Sequence, residues 1–145
     1  MSDSAPEMTD KVRAKLEEAR VARLATVDAN GAPHLVPACF VLDGSVLYSG
    51  IDRKPKRSRH RLTRLANIET NAAVALLIDE YGEDWSRLWY VLVRGKASVV
   101  TEETEHSRAV ARLKAKYAQY AAGMLDDDAV IVRITAERIT SWGKL

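Results

Sequence analysis

Seven cations crowd one short stretch of this chain. Arg53, Lys54, Lys56, Arg57, Arg59, Arg61 and Arg64 fall within twelve residues, with His60 among them, and no acid lies between Asp52 and Glu69. Pro55 disfavours helix at Lys54, so the segment opens as a loop. Ser58 can then cap a helix over about 59–70. A basic loop running into a helix N-terminus suits an anion, because free backbone N–H groups and the helix dipole add to the side-chain charge. Each well-made charge-assisted hydrogen bond contributes roughly 1.5–3 kcal/mol, so about two or three donors serve one phosphate. Seven exceed that need. Either several face solvent or the ligand carries several negative charges. A solvated face is the ordinary meaning of a charge run. Against it, Arg57 and Arg61 form a like-charged i,i+4 pair that destabilises a helix, with no acid nearby to compensate.

Other chemistry-bearing residues are sparser. Trp85 and Trp89 flank a Gly-containing loop and could stack on an aromatic ligand or a partner subunit; ordinary packing competes evenly there and is favoured for Trp142. His34, His60 and His106 have no metal-ligand spacing, and no Cys/His cluster occurs. Cys39 lies in an apolar run, where a buried inert thiol is the default. Ser58 lacks the G-x-S-x-G context of a nucleophile. Neither G-x-G-x-x-G nor a Walker A motif is present. The chain shows no self-sufficient catalytic constellation, so chemistry here would be carried by a cofactor.

The elements that must position these residues follow from periodicity. A helix is expected over about 9–19, capped by Thr9 or Asp10, with Val12, Leu16 and Ala19 on one face. Strands are expected over 21–28, 34–42 and 45–50, joined by the turn signals Asn30-Gly31 and Asp43-Gly44. Pro37 cannot donate to a ladder, which points to a bulge or an edge where something else approaches the backbone. Leu62, Leu65 and Ile68 form the buried stripe of the second helix. Strands over 72–79 and 88–100 follow, the latter broken by Gly95. Thr101 is expected to cap a third helix that buries Val110, Leu113, Tyr117 and Tyr120 and ends at Gly123. Closing strands are expected over 129–135 and 138–142. About seven strands and three helices, without regular βαβ alternation, read as an antiparallel barrel-like α+β fold.

The whole-chain arithmetic bounds the function. There are 145 residues, 47% hydrophobic and 29% charged, with a net charge of +2. That is globular composition, suited to one domain with a real core. Residues 1–8 are expected to be a frayed tail, and 9–145 a single domain. Without its seven cations the chain holds 15 basic and 20 acidic residues, a body of net −5. A local anionic ligand fits this better than a DNA-coating surface. One cysteine, no signal-peptide pattern and no long apolar run point to the cytoplasm and away from a membrane.

Read as a whole, the chain resembles a known family. Residues Arg23 to Phe40 look like the opening hairpin of the pyridoxamine-phosphate-oxidase-like split β-barrel flavoproteins. Tyr48-Ser-Gly-Ile-Asp-Arg-Lys-Pro-Lys56 and Arg64-Leu-Ala-Asn-Ile-Glu-Thr-Asn-Ala-Ala-Val74 match that family's next strand, phosphate loop and helix. Asp79-Glu-Tyr-Gly-Glu-Asp-Trp85, with the strand reaching Gly95-Lys-Ala97, is similar to its deazaflavin-dependent branch. The resemblance implies a mainly β split barrel of six to seven antiparallel strands and a homodimer with cofactor sites at the interface. It places the cofactor ring along Val36-Pro37-Ala38. The phosphate falls to the segment after Gly50 and Asp52, at Lys54, Pro55, Lys56 and Arg57, with Arg61 or Arg64 of the helix. Trp85 or Trp89 would close the ring pocket from the second chain.

The implied cofactor is coenzyme F420 or FMN. FMN ends in one phosphate, whereas F420 carries a phosphodiester and a glutamate tail, so the excess of cations favours F420. The expected activity is hydride transfer between F420 and a small organic substrate. An FMN-dependent oxidoreductase of the same fold is the alternative, and a non-catalytic cofactor carrier shares every feature named. A nucleic-acid module ranks lower, because no stacking aromatics interleave the basic run.

Overall fold

The computed structural model describes residues 6–53 and 62–145. Lys54, Pro55, Lys56, Arg57, Ser58, Arg59, His60 and Arg61 lie outside the described residues, and the expected Ser58 cap with them. The helix expected over 59–70 begins at Thr63, because Leu62 before it has an extended backbone.

Helix α1 (Asp10–Glu18) begins where expected: Thr9 accepts a hydrogen bond from the Val12 N–H at 3.2 Å, and Val12 and Leu16 are buried one turn apart. Strands β1 (Ala22–Val27) and β2 (Pro33–Ala38) pair antiparallel in unbroken register across the Asn30-Gly31 turn. Gly31 has φ 82° and Gly44 φ 64°, a left-handed backbone that glycine adopts at little cost. The expected strand over 34–42 is two strands. It breaks at Cys39-Phe40, and β3 (Val41–Asp43) then pairs with β4 (Val46–Gly50). Helix α2 (Thr63–Thr70) and strand β5 (Ala73–Glu80) follow, then a single 3-10 turn over 85–87 and strand β6 (Trp89–Val99). Helix α3 (Glu103–Lys116) is capped by the Glu102 carboxylate, which accepts from the Thr104 and Glu105 N–H groups, and not by Thr101. An acid there also meets the positive end of the helix dipole. The expected helix end at Gly123 is instead an irregular turn over 120–124, where Gly123 has φ 115°. The two closing strands are one long strand, β7 (Ile131–Gly143).

The sheet order is β2-β1-β5-β6-β7-β4-β3, antiparallel throughout. Strands β2 and β3 are consecutive in the chain yet lie at opposite edges of the sheet, joined by two residues. A flat seven-stranded sheet cannot allow that, so it curls into a split barrel whose edges meet at Cys39-Phe40. Gly95 carries the expected break, a register shift against β7. A Cβ there would lie 2.1 Å from the Thr135 carbonyl oxygen, so only glycine lets the strands approach this closely.

The barrel interior holds Leu16, Leu24, Phe40, Leu47, Leu76, Val91, Val93 and Ile134. A second cluster, with Tyr48, Val110, Leu113, Tyr117, Tyr120, Leu125 and Ile131, packs α3 against the barrel. Leu47 belongs to the first cluster and Tyr48 to the second, so β4 is covered on both faces and reads as a continuous apolar run. The buried Asn67 of α2 donates to Thr26 Oγ1 at 3.0 Å, which satisfies both groups and ties the helix to β1.

Candidate functional site

Three separated stretches of chain meet in one cleft of about 320 Å³, lined by Val21, Pro37, Ala38, Cys39, Ser49, Gly50, Asp52, Leu62, Arg64 and Tyr120. Strand β2 supplies the first wall. It is an edge strand, so among the described residues alternate backbone polar groups face outward without a ladder partner, and Pro37 sits where no N–H is needed. Of the two readings of Pro37, the edge is right; the register past it has no bulge.

The end of β4 supplies the second wall. Ser49 Oγ donates to the Cys39 carbonyl at 2.8 Å, fixing β4 against the β2–β3 junction. Past Gly50, the Ile51 N–H donates to the Val130 carbonyl and the Arg53 N–H to the Met124 carbonyl, both at 2.9 Å. The start of the basic segment is therefore pinned to the turn before β7. Arg53 also pairs with Asp126 at 2.8 Å, which directs that cation to a carboxylate of its own chain.

The third wall brings charge and a phenol. Tyr120 Oη donates to Asp52 Oδ2 at 2.6 Å. Burial and then the bond to Asp52 push the Tyr120 phenol far above its ordinary value, so it stays protonated. Burial pulls the Arg64 guanidinium below its ordinary value, opposed by Asp52 and Tyr120. Arg64 keeps its charge regardless. A partly desolvated cation at a cleft wall gains from an anion more than a solvated one does. The edge-strand backbone and Arg64 together make a donor set that fits a planar heterocycle with a phosphate arm.

Five of the residues singled out from the sequence meet here: Pro37, Ala38, Gly50, Asp52 and Arg64. Val36 packs on the barrel core and does not line this cleft. Trp85 is 70% exposed and Trp89 9% exposed; neither lines this cleft. Trp89 packs in the core, with its Nε1 donating to Glu80 at 2.9 Å. Trp142 is 53% exposed and stacks on Tyr90. Lys54, Pro55, Lys56, Arg57 and Arg61 lie outside the described residues.

Sequence reasoning missed Tyr120 and Cys39. Cys39 is half-buried at the cleft, because the strand expected to bury it ends there. Tyr120 was counted as helix core, and it is buried, but its hydroxyl needs a partner. A phenol among core positions is the signal that could have found it.

A family model described as pyridoxamine 5'-phosphate oxidase matches residues 8–143. No curated protein matches. Among solved structures, the conserved hypothetical protein Rv2991 from Mycobacterium tuberculosis superposes with a TM-score of 0.75 at 20% identity, covering 98% of this chain and 88% of that one. The heme storage protein HutZ from Vibrio cholerae gives 0.72 at 21% identity, with 92% of each chain covered. An FAD-binding protein from Mesorhizobium loti gives 0.66 at 22% identity, covering 92% and 94%.

Proposed function

Because this chain belongs to the pyridoxamine 5'-phosphate oxidase family, we propose that it is an oxidoreductase that binds coenzyme F420 in the cleft between β2, β4 and Arg64. When bound, F420 supplies hydride chemistry at its deazaflavin carbon, directed to a small organic acceptor. The chain's share is to orient the ring along Pro37 and Ala38, to hold the phosphate and acidic tail, and to exclude water. Tyr120 holds a proton on its Oη at the cleft wall, kept there by burial and by Asp52. The observation that carries this reading is the convergence of Pro37, Ala38, Gly50, Asp52 and Arg64 on one cleft, with the basic segment leaving and rejoining the described chain at Arg53 and Leu62. Lys54, Lys56 and Arg57 would meet the phosphate, and Arg61 would extend the cationic track along the tail. In this reading the protein is a homodimer, its second copy covering exposed aromatics such as Trp85.

Titrating apo protein with F420 and FMN separately, followed by fluorescence, tests the proposal. F420 is expected to bind tighter than FMN. Neutralising Lys54, Lys56 and Arg57 together is expected to weaken F420 more than FMN, because only F420 adds tail carboxylates. If neither cofactor binds tighter than micromolar, the proposal fails. FMN binding alone would support the FMN-dependent runner-up. Turnover with reduced cofactor and a panel of quinones, enones and nitroaromatics separates an enzyme from a carrier. Similarity to a heme storage protein makes heme a further ligand to try. Cys39 and Tyr120, residue types that can ligate heme iron, line the cleft, so a heme titration followed by its visible spectrum runs beside the flavin titrations.

A further inference from the structure

A second cleft of about 500 Å³ adjoins the first and shares two wall residues with it, Cys39 and Tyr120. Its remaining lining is Arg20, Tyr117, Gln119 and Met124. That volume is in the range of small-molecule sites. Most of the lining is flat or apolar: two phenol rings, a thioether and a thiol. The Tyr117 hydroxyl is already engaged, with the Phe40 N–H donating to it at 3.0 Å and the carbonyls of Phe40 and Arg20 within 3.1 Å. The Tyr120 hydroxyl is engaged with Asp52. The polar groups left to read a ligand are the Gln119 amide and the Arg20 guanidinium.

Arg20 is unusually well placed. Its guanidinium lies 4.6 Å from the Tyr117 ring centroid, and Nη2 donates to the Lys116 carbonyl at 2.9 Å. These contacts hold the planar group in one orientation at the rim. No carboxylate pairs with it among the described residues. A guanidinium has five donors and binds a carboxylate through two parallel hydrogen bonds. The Lys116 ammonium lies behind, 5.4 Å from the Tyr117 ring and 4.0 Å from the Phe40 ring, and adds positive potential.

We infer that this second cleft takes a small planar organic acid, its flat body laid against Met124 and the cleft-lining edges of Tyr117 and Tyr120, whose rings pack on each other at 5.2 Å, and its carboxylate on Arg20. The inference rests on the cofactor reading for its purpose: the two clefts adjoin at Cys39 and Tyr120, and an acid held here with its reactive carbon at that junction would be the organic acceptor. Its binding chemistry does not depend on that reading.

Calorimetric titration with trans-cinnamate and its neutral isostere trans-cinnamamide tests the assignment, on protein with and without F420. Cinnamate is expected to bind at least tenfold tighter than the amide. Arg20→Gln is expected to lower cinnamate affinity at least tenfold while leaving the amide unchanged, and Met124→Trp to weaken both by filling the cleft. Circular dichroism confirms folding, and Arg20→Lys, which keeps charge but loses the paired donors, is expected to fall between. Equal affinity for acid and amide, no saturable binding, or cinnamate binding unmoved by either variant would overturn the inference. So would dissociation of a dimer by Arg20→Gln in sedimentation, since the face would then belong to a second copy. F420 titration of Arg20→Gln is expected to match the parent protein. Cinnamate binding without F420 or FMN binding would sink the cofactor proposal and leave this cleft standing; the reverse result would do the opposite.

Discussion

The Arg64 guanidinium stands partly desolvated at the cleft wall, with Asp52 and the Tyr120 phenol as its nearest electrostatic company. A cation so placed has already lost part of its hydration, so a bound anion recovers more than it would from a surface lysine. Hydrogen bonds to charged groups contribute about 1.5–3 kcal/mol, which is roughly 10- to 150-fold in affinity. Arg64→Ala is therefore expected to weaken cofactor binding at least tenfold in the fluorescence titration. Arg64→Lys keeps a point charge without the planar fork and is expected to recover only part of the loss. Arg64 was legible in the sequence as the last of seven clustered cations. What distinguishes it from Arg53, which pairs with Asp126, was not legible, because those partners sit 73 positions apart in the chain.

At the scale of elements, the junction between β2 and β3 decides the shape of both clefts. Two residues carry the chain from one edge of the sheet to the other, and the Tyr117 hydroxyl holds them through the Phe40 N–H and carbonyl at 3.0 Å. Tyr117→Phe leaves the buried Phe40 N–H without that acceptor. An unsatisfied buried group costs about 1–3 kcal/mol, and urea unfolding is expected to show a loss of that size with little change in slope. Burial also pushes the Tyr117 phenol up to about 12. Hydrophobic periodicity made α1, β1, β5, β6 and the face of α3 readable, since each buries its own alternating or helical stripe. It merged β2 with β3, because Pro33 to Leu42 is apolar almost throughout and no residue type marks the crossing. It divided β7 in two for the opposite reason: Ala136 to Arg138 are small or polar, yet pairing with β6 carries the strand across them.

The balance of charges shows at the scale of the whole molecule through pH. Burial, then Arg20, lowers the Lys116 ammonium to about 8 from its ordinary 10.5, with Cys39 and Glu17 opposing. Between those values the unfolded chain keeps a proton that the folded chain has shed, so stability rises with pH from about 8 towards 10.5. Tyr117 works against this above its ordinary 10, because the unfolded phenol ionises while the folded one holds its proton to about 12. Urea midpoints at several pH values are expected to rise through the first window and fall through the second. Lys116→Met is expected to flatten the rise, and a rise that persists in that variant would assign it elsewhere. The sequence by itself determined the three helices and most of the strands, the family and the concentration of cations between Arg53 and Arg64, because these rest on local pattern. Only the tertiary structure decided that the sheet's two edges meet at Cys39-Phe40. It also decided that Tyr120 reaches Asp52 across 68 positions and that two clefts share one wall. Those facts come from closing a curled sheet, a constraint on the whole chain that no single stretch of residues carries.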